Sequence, residues 1–161
     1  MIKGDLLAMA EAGKFDVIVQ GCNCFNTMGS GIARSIREKW PQAYEADCTT
    51  LSGDKEKLGT FTMAVARVAD NKILGILNAY TQFGFNKPGE SNDVFEYEAF
   101  QKFLNTIADA LVLGDQAISV GFPLIGCGLA GGDKTRILAM IEEFSQKITT
   151  VNGTVTVVEF G

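Results

Sequence analysis

The chain contains no histidine among its 161 residues, and this absence narrows the chemistry open to it. Histidine is the side chain that most often moves protons near neutral pH, so serine–histidine and cysteine–histidine catalysis are excluded. A zinc site would need a cage made almost wholly of thiolates, and the cysteine spacing does not form one. We therefore predict neither a metal site nor a bound cofactor.

Long apolar runs and an excess of basic residues are also missing. No apolar stretch approaches the roughly 20 residues that cross a bilayer, and the N-terminal segment lacks the features of a secretory signal. The formal net charge is −5, which disfavours an extended nucleic-acid surface because phosphate backbones are bound mainly by clustered Lys and Arg. We therefore expect a cytoplasmic protein with no membrane partner.

Cysteine is sparse, and its spacing shows no pairing. The four cysteines are Cys22, Cys24, Cys48 and Cys127. In a reducing cytosol such residues usually act as small apolar side chains, so disulfides are not expected. Because no neighbouring histidine or lysine would activate their thiols, we interpret Cys24 and Cys127 as packing residues.

Apolar residues make up 47% of the chain, enough to cover both faces of a central sheet in a single domain of residues 1–161. Short β-branched runs alternate with segments in which apolar residues recur every three or four positions. The runs predict strands at residues 15–20, 61–68, 73–78, 117–121 and 154–159, and the periodic segments predict helices at residues 6–12, 31–39, 42–51, 95–113 and 134–147. Trp40-Pro41 is expected to end one helix and Asp133 to cap another. The alternation predicts an α/β fold, a three-layer α/β/α sandwich with a mixed central sheet.

A polar segment with spaced glycines, residues 21–33, links the first of these strands to a helix. Gly29 and Gly31 would let main-chain N–H groups approach a phosphate, and the helix would add a partly positive N-terminus. Asn23 and Asn26 add amide side chains. The alternative for one such loop is a turn that only allows tight packing of the strand against the helix.

A second segment of the same design spans residues 121–133, with glycines at 126, 128, 131 and 132 before a helix. Two loops of this kind are much less expected by chance than one. At the carboxyl ends of strands they would border one crevice, the usual ligand site of an open α/β sheet. The pair therefore predicts a cleft for a diphosphate, and the turn-forming residues 81–93 are a candidate lid.

These segments resemble those of the macrodomain family, and the resemblance extends over nearly the whole chain. It is carried by Lys3-Gly4-Asp5-Leu6, by residues 21–26 with the glycine loop after them, by Asn78-Ala-Tyr-Thr-Gln82, by residues 126–132 and by Phe160. Cys22-Asn-Cys24 and the short loop Met28-Gly-Ser-Gly-Ile-Ala33 are similar to those of the branch that contains ADP-ribose-1''-phosphate phosphatases and terminal ADP-ribose glycohydrolases. The resemblance implies a protein that binds ADP-ribose or an ADP-ribosylated molecule.

The resemblance also implies roles for individual residues. Asp5 would accept a hydrogen bond from the adenine amino group, with Phe160 stacked on the ring; the alternative for Asp5 is a helix cap. The implied ligand-binding residues are Asp5, Leu6, Gly29, Ser30, Gly31, Ile32, Gly126, Cys127, Gly128, Leu129, Ala130, Gly131 and Phe160, and the candidate catalytic residues are Asn23 and Asn26, which would orient substrate or water.

Three positions depart from the catalysts of that branch. Gln20 occupies the position at which the phosphatases have a histidine. Gln82 matches about the position of the catalytic lysine of the glycohydrolases, and Ala130 about that of their aspartate. Neither an amide nor a methyl group transfers a proton at neutral pH, so those two catalytic routes do not carry over.

Two hypotheses therefore remain open. One is a hydrolase that acts on a substituent at C1'' of the distal ribose, with main-chain N–H groups stabilising the developing charge. The other is a non-catalytic module that binds ADP-ribose. A third, structural subunit would use its glycine loops only for packing. Asp133 is interpreted as a helix cap rather than a catalytic base.

Overall fold

The computed structural model describes residues 1–86, 89–90 and 93–161. Its strands are β1 (Ile2–Gly4), β2 (Val17–Cys22), β3 (Phe61–Arg67), β4 (Ile73–Tyr80), β5 (Ser119–Phe122) and β6 (Thr154–Phe160). They form one six-stranded sheet in the order β1-β6-β5-β2-β4-β3. Only β3 runs antiparallel to its neighbour, so the described sheet is mixed, as predicted.

The helices cover both faces of this sheet. They are α1 (Leu6–Glu11), α2 (Gly31–Lys39), α3 (Pro41–Asp47), α4 (Tyr97–Gly114) and α5 (Lys134–Thr149), with short 3-10 helices at Lys55–Lys57 and Ala69–Asn71. Ile18 belongs to an apolar cluster with residues of α1, α2 and α3, whereas Val19 belongs to a cluster with residues of α4 and α5. Because successive strand residues face opposite sides of a sheet, the predicted three-layer sandwich is confirmed.

The predicted helix boundaries at Trp40-Pro41 and Asp133 are confirmed. Trp40 ends α2 and Pro41 is the first residue of α3. The Asp133 carboxylate accepts hydrogen bonds from the N–H groups of Thr135 (3.0 Å) and Arg136 (3.4 Å) at the start of α5. Within the described ranges, no helix is long and apolar enough to cross a bilayer.

Two elements differ from the sequence-based prediction. β1 was not predicted, because three residues carry no readable alternation; it forms by pairing with β6, where Ile2 lies opposite Val158. α3 ends at Asp47 rather than at residue 51. The hydroxyl group of Thr50 donates to the Asp47 carbonyl at 2.6 Å, a local bond that competes with continuation of the helix.

Candidate ligand-binding cleft

The carboxyl ends of the parallel strands border a cleft of about 1320 Å³. We call residues 23–30 the first loop, which follows β2, and residues 123–133 the second loop, which follows β5. Both loops line this cleft, together with the start of α2 and the end of β6. Ligands of α/β sheets usually bind at this edge, so the fold brings the two glycine-rich segments together where a ligand would lie.

The first loop is held in shape by its own side chains. The Asn23 side-chain oxygen accepts a hydrogen bond from the Phe25 N–H at 2.8 Å, and its Nδ2 donates to Thr27 Oγ1 at 2.7 Å. The cleft is lined by five residues of this loop and of the start of α2: Asn23, Gly29, Ser30, Gly31 and Ile32. Ser30 makes no side-chain cap to α2, and no other described side chain caps it. The N–H groups of the first turn of this helix can therefore meet an anion in the cleft.

The second loop presents main-chain donors to the cleft. Gly126, Cys127, Gly128, Leu129 and Ala130 line it, whereas Gly131 does not. The N–H groups of Gly128, Leu129 and Ala130 find no acceptor among the described residues. Main-chain N–H groups left unpaired in a concave site favour an anionic ligand.

Gly126 is required for the path of the second loop. Its φ is +73°, and a Cβ atom there would lie 2.4 Å from the Phe95 ring. The Gly126 carbonyl also accepts a hydrogen bond from the Gly132 N–H at 2.7 Å, which closes the turn. Any larger residue would therefore force the loop and the ring apart.

Asp5, Leu6 and Phe160 lie at the end of the cleft formed by β1 and β6. Asp5 Oδ1 accepts hydrogen bonds from the N–H groups of Leu7 (3.0 Å) and Ala8 (3.1 Å), so Asp5 caps α1. Its Oδ2 receives no hydrogen bond from a described residue and stays available to a ligand. Leu6 is buried, whereas the Phe160 side chain is 84% exposed.

Asn26 is placed differently from Asn23. It does not line the cleft. Its Nδ2 donates to the Thr50 carbonyl at 3.0 Å, and its Oδ1 accepts from Lys57 Nζ at 2.7 Å. The Asn26 side chain therefore points into the protein, where it helps to hold the first loop.

Lys57, which the sequence did not single out, is the buried centre of that anchor. Its Nζ also donates to the carbonyls of Cys24 (3.0 Å) and Leu51 (3.1 Å). Three acceptors thus satisfy the buried ammonium group of Lys57. Two of these acceptors, the Cys24 carbonyl and Asn26 Oδ1, belong to the first loop. Spacing along the chain gave no signal for this contact, because Lys57 lies 33 residues after Cys24.

The three positions that depart from the known catalysts have distinct surroundings. Gln82 and Ala130 line the cleft, but Gln20 does not. Gln20 is fully buried and its Nε2 donates to Asn78 Oδ1 at 2.8 Å.

Burial raises the pKa of the thiols of Cys22, Cys24 and Cys127. The raised pKa keeps these thiols protonated and disfavours a role as nucleophiles.

A chain of polar groups, four of them buried and one half-buried, was also missed from sequence and ends at the cleft. Gln20 donates to Asn78, Asn78 Nδ2 donates to Thr62 Oγ1 at 3.0 Å, and Thr62 Oγ1 lies 3.1 Å from the Tyr80 hydroxyl. The Tyr80 hydroxyl donates to Asp47 Oδ1 at 2.7 Å. Asp47 is 1% exposed and lines the cleft. We call these five residues the Asp47 relay.

The segment predicted as a lid lies only partly within the described residues, since 87, 88, 91 and 92 fall outside them. Phe85 and Asn86 line the cleft. Asn86 Nδ2 donates to the Leu129 carbonyl at 2.6 Å, which joins the segment to the second loop. Whether the segment closes over a ligand stays a prediction.

Charged side chains give the cleft no strong cationic character. Its described lining contains Asp5, Glu38, Asp47 and Glu159, against Lys39 as the basic residue. Lys39 is itself paired with Glu11. In the described part of the chain no group of three His, Cys, Asp or Glu side chains could hold a metal ion. An anion bound here would therefore depend on main-chain N–H groups and the start of α2.

Comparison with known proteins identifies the family. The model of the Macro domain family matches residues 19–141. The chain belongs to the macrodomain family. As a macrodomain, it has the fold that binds ADP-ribose across this family, some of whose members remove ADP-ribose from modified molecules.

Individual relatives and solved structures are similar to this chain over most of its length. The macrodomain is 34% identical over 154 residues to an uncharacterized 17.5 kDa protein of Enterobacteria phage T4 from the tk-vs intergenic region, covering 93% of this chain and 92% of the relative. A protein of unknown function from Bacteroides thetaiotaomicron is 27% identical, with a TM-score of 0.72 over 98% of this chain and 95% of the other. Thermosipho africanus DarTG, solved in complex with ADP-ribose, is 16% identical, with a TM-score of 0.69 over 98% of this chain and 40% of the other.

Proposed function

We propose that this macrodomain binds ADP-ribose, or an ADP-ribosyl group on a larger molecule, in the cleft between the two loops. The observation that carries the proposal is the set of main-chain N–H groups at Gly128, Leu129 and Ala130 for which no described residue supplies an acceptor, in a loop that lines the same cleft as the start of α2. A diphosphate would supply the acceptors that these donors lack.

The strand order supports an orientation for the ligand. Asp5 and Phe160 belong to the β1 and β6 end, the second loop follows β5, and the first loop follows β2. With adenine at Asp5 and Phe160, the diphosphate would lie between the two loops and the distal ribose beyond β2. From β6 to β4 this path crosses three strand spacings, about 14 Å, so an extended ligand is required.

The finer proposal is hydrolysis at C1'' of the distal ribose, by removal of phosphate or by release of ADP-ribose from a modified molecule. Asn23 supports it, since this residue lines the cleft where the first loop begins and its Nδ2, which donates one proton to Thr27 Oγ1, carries a second proton for substrate or water. Gln82 and Ala130 favour the competing function, a module that binds without turnover, because neither supplies an acid or base.

Isothermal titration calorimetry with ADP-ribose tests binding first. We expect heat and a stoichiometry of about one; no heat would refute the proposed function and favour a structural subunit. Incubation with ADP-ribose-1''-phosphate, with ADP-ribosylated protein and with ADP-ribosylated DNA then separates the enzyme from the binding module. Product from any of the three supports hydrolysis, whereas binding without product supports the non-catalytic module.

A further inference from the structure

Asp47 is a buried carboxylate with one oxygen unused. It is the last residue of α3 and is 1% exposed, yet it lines the cleft. Oδ1 accepts the Tyr80 hydroxyl at 2.7 Å, whereas Oδ2 receives no hydrogen bond from a described residue. Oδ2 is not among the fully buried atoms that lack a partner, so it is the oxygen through which Asp47 reaches the cleft. A carboxylate oxygen that opens onto a cleft, on a side chain otherwise buried, is placed to accept a hydrogen bond from a ligand group.

The sheet register places Asp47 at one end of the cleft. Tyr80 ends β4 and lies opposite Cys22, which ends β2. Asp47, bonded to Tyr80, therefore lies where the first loop leaves the sheet. Asp5 and Phe160 are at the other end, at β1 and β6. If adenine occupies that end, Asp47 is at the end that receives the distal ribose.

The Asp47 relay is oriented toward this carboxylate. Tyr80 donates its only hydroxyl proton to Asp47, so Thr62 donates to Tyr80; Thr62 in turn accepts from Asn78. Each residue of the relay thus donates a hydrogen bond to the next one, and successive hydrogen bonds in such a chain polarise one another. The relay stabilises the charged carboxylate through Oδ1 and leaves Oδ2 for the cleft.

We propose that Asp47 Oδ2 accepts a hydrogen bond at C1'' of the distal ribose. In the complex with ADP-ribose the donor is the anomeric hydroxyl group; in hydrolysis it is the water that attacks C1''. This inference rests on the proposed function. In hydrolysis the water oxygen forms a bond to C1'' while the bond from C1'' to the departing atom breaks and its electron pair leaves with that atom. The proton of the water passes to Asp47 Oδ2 and from there to the departing group or to solvent.

Several groups set the charge of Asp47. Burial raises the pKa of its carboxyl, while the Tyr80 hydrogen bond and the charge of Lys57 lower it. The titratable groups that interact with it are Tyr80 from β4, Lys57 from its 3-10 helix, Cys22 from β2, Cys24 from the first loop and Tyr44 on α3 itself. As the pH falls through the pKa of Asp47, the acceptor is lost and ADP-ribose should bind less tightly.

The first test compares D47N with wild-type protein. The amide keeps an oxygen for Tyr80 but turns Oδ2 into a donor. By calorimetry we expect D47N to bind ADP-ribose roughly ten- to a hundredfold less tightly and to bind ADP, which lacks the distal ribose, as the wild type does. D109N is the matched control, since Asp109 is an exposed acidic residue of α4 outside both loops and outside the cleft lining; it should bind both ligands normally.

Each outcome decides the proposal. Equal affinities of D47N and wild type for ADP-ribose, or an equal loss for ADP and ADP-ribose, would overturn the role of Asp47 while leaving ADP-ribose binding intact. Failure of the wild type to bind ADP-ribose would overturn the proposed function and this inference together. For any of the three substrates that the wild type hydrolyses, D47N should also lose turnover.

A second variant tests the relay without removing the carboxylate. Y80F deletes the hydrogen bond that lowers the pKa of Asp47. As the pH is lowered, we expect the ADP-ribose affinity of Y80F to fall at a higher pH than that of the wild type. D47N has no carboxylate at this position, so its affinity should show no such fall. Coincident pH profiles of wild type and Y80F would contradict the proposal, because a purely structural role for Tyr80 would not shift the profile.

Discussion

Substitution of Gly128 by valine is expected to abolish ligand binding without disturbing the fold. A Cβ atom at Gly128 would meet no atom within 4 Å, and its backbone is not in the left-handed region that favours glycine. The added isopropyl group would instead occupy the cleft in front of the second loop. The valine side chain would therefore obstruct a ligand without clashing with a neighbouring side chain.

The expected loss follows from the donors that the loop presents. If the diphosphate takes hydrogen bonds from two of the N–H groups of Gly128, Leu129 and Ala130, G128V removes two charge-assisted bonds. Each is worth about 1.5–3 kcal/mol, so the total is roughly 3–6 kcal/mol, or at least a hundredfold in Kd. Calorimetry with ADP-ribose measures the loss, and thermal unfolding of the free protein should be unchanged.

Two other glycines provide matched controls. G126A should lower the melting temperature, because φ at Gly126 is +73° and the new Cβ would lie 2.4 Å from Phe95. G114V should change neither stability nor binding, since Gly114 ends α4, away from the cleft, with open space around its Cβ. ADP-ribose binding by G128V at wild-type affinity would show that the diphosphate does not lie on the second loop.

Three further substitutions probe the two ends of the cleft and the anchor of the first loop. D5N keeps an oxygen to cap α1 but turns Oδ2 into a donor; calorimetry should show ADP-ribose affinity reduced by about 1–3 kcal/mol, and unchanged affinity would argue against an adenine contact. F160A should cost roughly 1–3 kcal/mol of binding through lost stacking, with no change in melting temperature because the ring is 84% exposed. K57M removes the ammonium donor from the Leu51 carbonyl and from Asn26 Oδ1, while the Cys24 carbonyl keeps the Gly53 N–H. Denaturant titration should therefore show a loss of roughly 2–4 kcal/mol of unfolding free energy; an unchanged midpoint would mean that Lys57 does not anchor the loop.

Local sequence patterns were enough to predict the layers and the two glycine loops. Strand and helix periodicity, the Trp40-Pro41 break and the Asp133 cap all depend on interactions within a few residues, and each was readable from its own segment. The loops were readable for the same reason, since a strand followed by spaced glycines and a helix is a local signature. Their meeting at one cleft followed from the rule that parallel strands end at one edge.

Contacts between distant segments had no such signature. Asn23 and Asn26 look equivalent in sequence, but Lys57, 31 residues after Asn26, draws the second amide away from the cleft. Asp47 resembles any acidic residue at a helix end until the fold buries it against Tyr80, 33 residues away. Burial and partners decide what a polar side chain can do. For these residues both arise only when α3, the 3-10 helix at Lys55–Lys57, β2 and β4 pack together.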